Sequence, residues 1–512
     1  MLLSNKIPNT MKYLLLLSLS LWFCHAGFAQ NDKAKYKQFK TEGDALLAKG
    51  ELRKAQQAFQ TALQHMQGDA YAAQKIKEID QQVDQKVHYA LDHADQLLQA
   101  GKTSDAAAVL KQTLSIDPEN ASLLDKLAVC SVAPGTTFQR LYGGKSYDEG
   151  RKMLQLNDGS ILVAGRVSTT SSNTDIGLLK LDRDGNKVWL KHFGEEETEE
   201  ANNMILTADG HVLIVGHSDS YSGSPGIKDM WAVKVSAEGD MIWQKNYGTN
   251  ITIDEARTVV PAHDGGYLLV GNSFVNGSLN IMAIKIDEQG EKQWEKIYGG
   301  DNSEEGNAVV KTEDGYTILG NTESKGKGRW DIWLLHIDKQ GKEIWDVTFG
   351  GGDNETGNAL VRTADGGYMI AGSTYSFAEA SQDMWLIKTD AQGRKQWANV
   401  YGGLAAEEAF GLVQTRDGNF VAVGFKEIWD ERNQVVSHLG HDIYMVKVTA
   451  KGEKIWERNH GGKDEQRGFD VIELSDQSLM ITGMSRDAQT QGVDIIVMKA
   501  NSAGMLGVES PK

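Results

Sequence analysis

The chain is poor in cysteine, in positive charge and in long apolar runs. Its 512 residues hold two cysteines, Cys24 and Cys130, and the first lies in a leader-like stretch. Without that stretch no internal disulfide is possible, which excludes a disulfide-stapled fold. Lys and Arg number 53 against 70 Asp and Glu, a net charge of −17. A phosphate-backbone partner needs a basic footprint, so nucleic acid is not expected. Beyond residue 29 no apolar stretch is long enough to span a membrane. Gly-x-Ser-x-Gly, His-Glu-x-x-His, Gly-x-x-x-x-Gly-Lys and a cysteine pair are all missing. No catalytic residue, metal or cofactor is therefore nominated.

Residues 1–29 contain Lys6 and Lys12 and no acid, and either Met1 or Met11 fits as the start. Lys12 followed by the apolar run Tyr13–Phe23 and by Gly27-Phe28-Ala29 predicts a secretory signal cut before Gln30. Phe23 stands where a lipoprotein signal wants a small residue before Cys24, so the expectation is export to the periplasm or outer envelope without a lipid anchor.

What is abundant is a unit written seven times. Its tryptophans, Trp189, Trp243, Trp294, Trp345, Trp397 and Trp456, follow at steps of 54, 51, 51, 52 and 59 residues. A fixed period near fifty means stacked supersecondary units that cannot bury their apolar faces alone. One copy reads Asn307–Thr312, Tyr316–Gly320, Asp331–Leu335 and Glu343–Phe349: four short β-branched and aromatic runs. Asp-Gly turns such as Asp314-Gly315 separate them, because Gly supplies positive φ without steric cost. Four-stranded blades repeated radially make a β-propeller. The last copy lacks its fourth strand, and Phe138–Tyr142 is a fourth strand with no blade before it. The expectation is a mainly β, seven-bladed propeller over 138–512, its first strand completing the last blade so that no long sheet edge stays open.

Residues 31–130 change character, with Ala, Gln, Lys and Leu dominating. Ala55, Ala58, Phe59, Ala62, Leu63 and Met66 share one helical face. Gly43, Leu46, Gly50, Ala55, Phe59 and Ala62, and again Ala94, Leu97, Gly101, Ala106, Leu110 and Pro118, resemble tetratricopeptide repeats. Gly50 and Gly101 stand 51 residues apart rather than one 34-residue period. A long helix over about 70–100 absorbs the difference. The resemblance implies a small α-helical domain that binds protein segments in its groove. Residues 131–137, with Pro134 and Gly135, read as a linker.

The Tyr-Gly-Gly, Asp-Gly and Asp-x-Trp-Leu-x-Lys elements resemble those of bacterial secreted seven-bladed propeller repeats. That resemblance implies fold and export and brings no catalytic residues. The Gly-x-x-x-Trp spacing, as in Gly185 and Trp189, resembles the docking motif of pyrroloquinoline-quinone enzymes. Asp287 precedes Gly290 by three rather than four, and adjacent cysteines are missing, so it implies packing between blades and no quinone.

Two groups of residues are candidates for function. An acidic residue follows each Tyr-Gly-Gly turn: Asp148, Glu199, Asp254, Glu304, Glu355 and Glu407. Standing at the start of each innermost strand, they are expected to ring the central channel, either as a cation or basic-peptide site or as acceptors for backbone N–H groups. Repetition in six blades, broken in blade seven by Gln466-Arg467, favours the structural role. The second group lies on the loops between strands two and three, which share one face with the blade-to-blade connections. From the Gly ending strand two to the residue opening strand three these loops span 10, 13, 9, 11, 11, 18 and 11 positions. Blade six is the outlier, with Trp429, Arg432, His438 and His441. Tyr221, Arg329, Trp330, Tyr375 and Phe377 complete the candidate face, since Trp, Tyr and Arg dominate binding hot spots. His438-x-x-His441-Asp442 has no second ligand cluster, so a metal is not expected.

The expected function is an exported cell-envelope scaffold that binds protein partners through its helices and its loop face. The alternative is a propeller enzyme or lectin that acts on or binds glycans.

Overall fold

The computed structural model describes residues 32–506 other than 67, 100–101, 119, 132–136, 145, 170–172, 223–226, 249–250, 431–434, 462–464 and 487–491. The expected leader, most of the linker and Arg432 lie outside the described residues. No helix among the described residues is long and apolar enough to cross a membrane. The chain divides into two units, one ending at Val132 and one over Ala133–Gly507.

The first unit is helical: α1 (32–48), α2 (Leu52–His65), α3 (Ala70–Gln99), α4 (Thr103–Leu114) and α5 (Ala121–Ser131). The stretch that sets the two Gly-marked motifs apart is one unbroken helix, α3, of 30 residues. Gly43 gives α2 room: a methyl there would stand 2.8 Å from the Phe59 ring. Leu52, Ala55 and Phe59 pack on Ile79 and Val83, while Ala90 and Ala94 pack on Ala106, Leu110 and Leu123. Arg53 ties the layers by donating to Asp117 Oδ1 at 3.0 Å and to Asp80 at 3.0 Å.

The second unit is a seven-bladed β-propeller of four-stranded antiparallel sheets. Phe138–Tyr142 pairs with Val493–Ala500, from Phe138 opposite Lys499 to Tyr142 opposite Ile495, so the first strand completes the seventh blade. Both middle strands of a blade are buried on both faces; Val212–Ser218 and Asp229–Val235 are examples. A blade packs each face on a neighbour, so its middle strands read as continuous apolar runs rather than alternating ones.

One contact recurs at each joint. The strand-four aromatic of a blade rests on the glycine of the strand three-to-four turn in the next. Gly239, Gly290, Gly341, Gly393, Gly452 and Gly504 all have positive φ and face Trp189, Trp243, Trp294, Trp345, Trp397 and Trp456 in turn. At the closing joint Phe138 takes the place of Trp, against Gly185. The tyrosine ending strand four adds a hydrogen bond to the same glycine: Tyr247 to Gly290 O, Tyr298 to Gly341 O and Tyr401 to Gly452 O, each 2.7 Å.

The repeated lysine ending strand three has its own partner. Buried Lys234, Lys285, Lys388 and Lys447 reach Asp209, Asp264, Asp365 and Asp417 of the strand one-to-two turn at 2.7–3.0 Å. In blade one Lys180 instead pairs with Glu238 of blade two at 3.2 Å. Burial alone would raise these carboxyls. The lysine and the turn hydroxyl outweigh it and hold Asp209 and Asp365 down to about 2.

Two outcomes follow. Gly341→Ala forces a side chain into the left-handed region at φ +79, 3.0 Å from Trp294, and should cost about 1–2 kcal/mol or more, read as a lower urea midpoint. Carboxylates depressed in the folded state contribute stability above their unfolded value of about 3.9, and that stability is lost as pH falls through about 2. Lys388→Met should therefore be less stable than the parent at pH 7, with the gap closing towards pH 2 in a thermal-melting series.

Candidate functional site

The central channel runs between the seven innermost strands and encloses about 360 Å³. The six repeated acids do not line it. Glu199, Asp254, Glu304, Glu355 and Glu407 are wholly buried and Asp148 nearly so. Each lies in the joint between blades, where it fixes the connection behind it and the loop above it. Glu355 is typical: it accepts from Gly351 N at 2.7 Å, Thr374 Oγ1 at 2.8 Å and Ser376 N at 3.0 Å. Glu199 accepts from Glu195 N at 3.0 Å and Ser218 Oγ at 2.7 Å, and Glu304 from Gly300 N at 2.8 Å. Glu407 meets Lys426 at 2.7 Å, yet burial, reinforced by Asp383, pushes it up to about 7.

The channel is read by a different position. Every innermost strand carries a β-bulge three residues past the acid, and the bulge turns that side chain inward. The resulting ring is Arg151, Asn202, Arg257, Asn307, Asn358, Phe410 and Phe469. Sequence reasoning missed it, although the position varies inside an otherwise repeated Glu-Gly/Ala-x motif. The asparagines staple neighbouring blades. Asn202 Nδ2 donates to Ala256 O, Asn307 Nδ2 to Gly357 O and Asn358 Nδ2 to Ala409 O, each at 2.9 Å. From the second strands, Asn272 and Asn321 accept Gly306 N and Gly357 N at 2.8 Å.

Blades one and three carry arginine at the bulge position, and blades six and seven carry phenylalanine. Phe410 and Phe469 face each other at 5.5 Å, and Phe425 stands 5.9 Å from Phe410. Arg151 lies over Phe469 at 4.6 Å and Arg467 over Phe425 at 5.0 Å. Glu149 holds Arg151 at 2.8 Å, and Glu465 holds Arg467 at 2.8 Å. His441 meets the Phe425 ring edge-on at 4.5 Å and Glu465 at 3.2 Å. Burial first, then Arg467, lowers its pKa.

The blade-six insertion, expected as a loop, is a two-stranded ribbon. Strands two and three run on as Phe420–Asp430 and Val435–Val448, with Glu427 opposite His441 and Trp429 opposite Val436. The ribbon rises from the mouth face beside the aromatic sector and carries the backbone of Trp429 and His438. The other nominated residues sit at separate joints. Tyr221 packs on Trp231 and Phe377 on Trp385, both at 5.3 Å, so each caps its own blade. Arg329 and Tyr375 are exposed, and Trp330 O accepts Glu355 N at 2.8 Å. Among the nominated residues whose side chains are described, His441 joins the sector at the mouth. Among the described residues no three metal-ligating side chains converge.

No family model matches the chain. Regulatory protein FlaEY of Caulobacter vibrioides is 29% identical over 130 residues, which span 22% of this chain and 14% of that protein. The chain thus covers well under two thirds of the length of this curated relative. Among solved structures, Sqt1 from Chaetomium thermophilum is 10% identical with a TM-score of 0.39, covering 71% of this chain and 100% of that one. BBS1N, solved in complex with ARL6DN, is 10% identical with a TM-score of 0.40, covering 74% and 100%. Acylaminoacyl peptidase of Pyrococcus horikoshii is 12% identical with a TM-score of 0.39, covering 72% and 53%. Similarities this low carry no argument about activity.

Proposed function

We propose that the protein is an exported cell-envelope scaffold whose propeller docks a protein partner on its mouth face, with the helical unit engaging a second protein segment. A propeller is a fold typical of protein-interaction scaffolds. The observation that carries the reading is where the repeat breaks. Six of seven joints use a Trp-on-glycine contact, whereas the ribbon and the Phe410, Phe425, Phe469 and Arg467 sector fall together on one face at blades six and seven. Three phenylalanines stand where blades one to five use polar or charged side chains: Arg151, Asn202, Arg257, Asn307 and Asn358 at the bulge, and Arg166, His217, Asn272, Asn321 and Ser373 on strand two. The sector thus forgoes hydrogen bonds for apolar contact area. Aromatic and arginine side chains grouped at one place are what binding hot spots are made of. Export rests on the sequence of residues 1–29 and is part of the proposal.

A second reading, glycan binding, has one supporting observation: a channel of about 360 Å³ lined by amides, arginines and two phenyl faces. Asp470 is the acid among its described lining residues, and Lys152 occupies it at 2.7 Å. That pairing disfavours a two-carboxylate hydrolase.

The test is cross-linking of the mature protein in its own envelope, beside a form lacking residues 31–130 and a Phe410→Asn/Phe469→Asn variant. The expected result is a mature N-terminus at Gln30, one partner lost with the helices, and another reduced about tenfold by the double variant, a loss near 1.4 kcal/mol. Equal capture by all three forms would end the scaffold reading. Retention on immobilised glycan, abolished by the double variant, would replace it with the second one.

A further inference from the structure

Each blade joint brings two acidic positions together over one glycine. One opens strand three of a blade, and the other is the repeated acid of the next. At Gly194 a methyl group would stand 2.5 Å from Glu199 Oε2 and 2.7 Å from Asp175 Oδ1, so the two oxygens share one small space. Gly248 is flanked in the same way by Asp229 Oδ1 and Asp254 Oδ2. Asp175 and Asp229 are 8% and 3% exposed, and Glu199 and Asp254 are 0% exposed. Asp175 Oδ1 and Asp229 Oδ1 have no hydrogen-bond partner. Two buried carboxylates this close repel, and both ionise only where other groups compensate them.

The hydrogen bonds described for these carboxyls come from uncharged groups. Glu199 takes its hydrogen bonds from Glu195 N, Ser218 Oγ and Ser220 N, none of them charged. Asp175 sees His192 on one side and Glu195 on the other. Asp219, across the same joint, adds a further acid, with Lys228 and His217 beyond it. Asp229 receives Asn246 Nδ2 at 3.1 Å, and Asp254 receives Thr252 Oγ1 at 2.7 Å.

The repeat itself shows what such a joint accepts. In the next blade Asn280 replaces the aspartate, with its Oδ1 beside Glu304 Oε2 over Gly299. At the joint of blades six and seven Gln466 replaces the repeated acid. An amide is the neutral counterpart of a protonated carboxyl. Between blades five and six Asp383 Oδ1 and Glu407 Oε2 flank Gly402 in the same way, and there Lys426 reaches Glu407 at 2.7 Å.

We propose that the Asp175/Glu199 and Asp229/Asp254 joints each hold one proton between their carboxyl groups in mildly acidic solution, and that losing it loosens these two joints as pH rises. Burial first, then the neighbouring charge, pushes Asp229 up to about 6 and Asp175 upward. A raised folded-state pKa contributes stability that is fully present below the unfolded value of about 3.9 and is lost as pH rises through about 6. The propeller therefore senses pH between about 4 and 6 through its blade joints rather than through histidine.

The experiment is thermal melting of the full mature protein, Asp229→Asn and Asp331→Asn at pH 4.5 and pH 7.5. Asp331 is the control at the same repeat position, because its Oδ2 accepts Lys327 N and Gly328 N at 2.9 Å, as an ionised carboxylate does. Asp229→Asn should gain on the parent by about 2 °C or more between pH 4.5 and pH 7.5, whereas Asp331→Asn should lose at both. An equal loss for Asp229→Asn at both pH values overturns the proposal. Infrared titration of the unmodified protein decides independently of any variant's folding. A protonated-carboxyl band that disappears near pH 6 supports the shared proton, and its absence above pH 5 overturns it. Calcium raising the melting point at pH 7.5, but not in Asp229→Asn, would make the joint a cation site instead.

Discussion

The structure depends on an aromatic ring lying on a left-handed glycine of the next blade. Neither partner works alone. The ring needs a surface without a Cβ, and the turn needs a residue that adopts positive φ at no cost. The tyrosine hydroxyl donating to that glycine's carbonyl fixes the angle between blades. Seven such joints close a circle, and closure removes the sheet edges that an open row of blades would expose. The last joint joins residues more than three hundred positions apart, Phe138 of the opening strand lying in a sheet with Val493–Ala500. Ring closure thus waits on a contact of high sequence separation, the kind whose loop entropy slows folding.

Charge is divided between the two ends of each blade. At the end away from the mouth, buried lysines pair with half-exposed turn aspartates, an arrangement that keeps the long stem in the core and the charge near water. At the mouth end the buried acids bind backbone N–H groups of the strand two-to-three loops. These bonds pin three of those loops near their starts, at Ser220, Ser324 and Ser376.

Period, strand content, ring closure and the seven blades were legible in the sequence, because each rests on a pattern that repeats and on turn chemistry that Gly and Asp mark openly. The candidate site was less legible. Asp148 and its equivalents stand at the start of the innermost strands, yet they turn into the joints, because the bulge three residues later shifts which side chain meets the channel. A strict two-residue alternation cannot report a bulge. The blade-six insertion read as a loop because Asp430, Glu431, Arg432 and Asn433 carry a turn-like composition, whereas strand two runs on to Asp430 and strand three starts at Val435. Tyr221 and Phe377 looked free because the strand-three tryptophans they cover lie many positions later.

The phenylalanine breaks in the repeat fall together on blades six and seven. Blade seven is the blade assembled from both ends of the propeller sequence, and blades six and one are its neighbours. There the bulge asparagines that staple blades two, four and five to their successors are replaced by Phe410, Phe469 and Arg151. A ring made uniform for stability alone would keep its staples where the chain is not continuous. Under the proposed reading, a partner seated on Phe410, Phe425 and Phe469 would bridge blades six and seven and add its binding free energy to that joint.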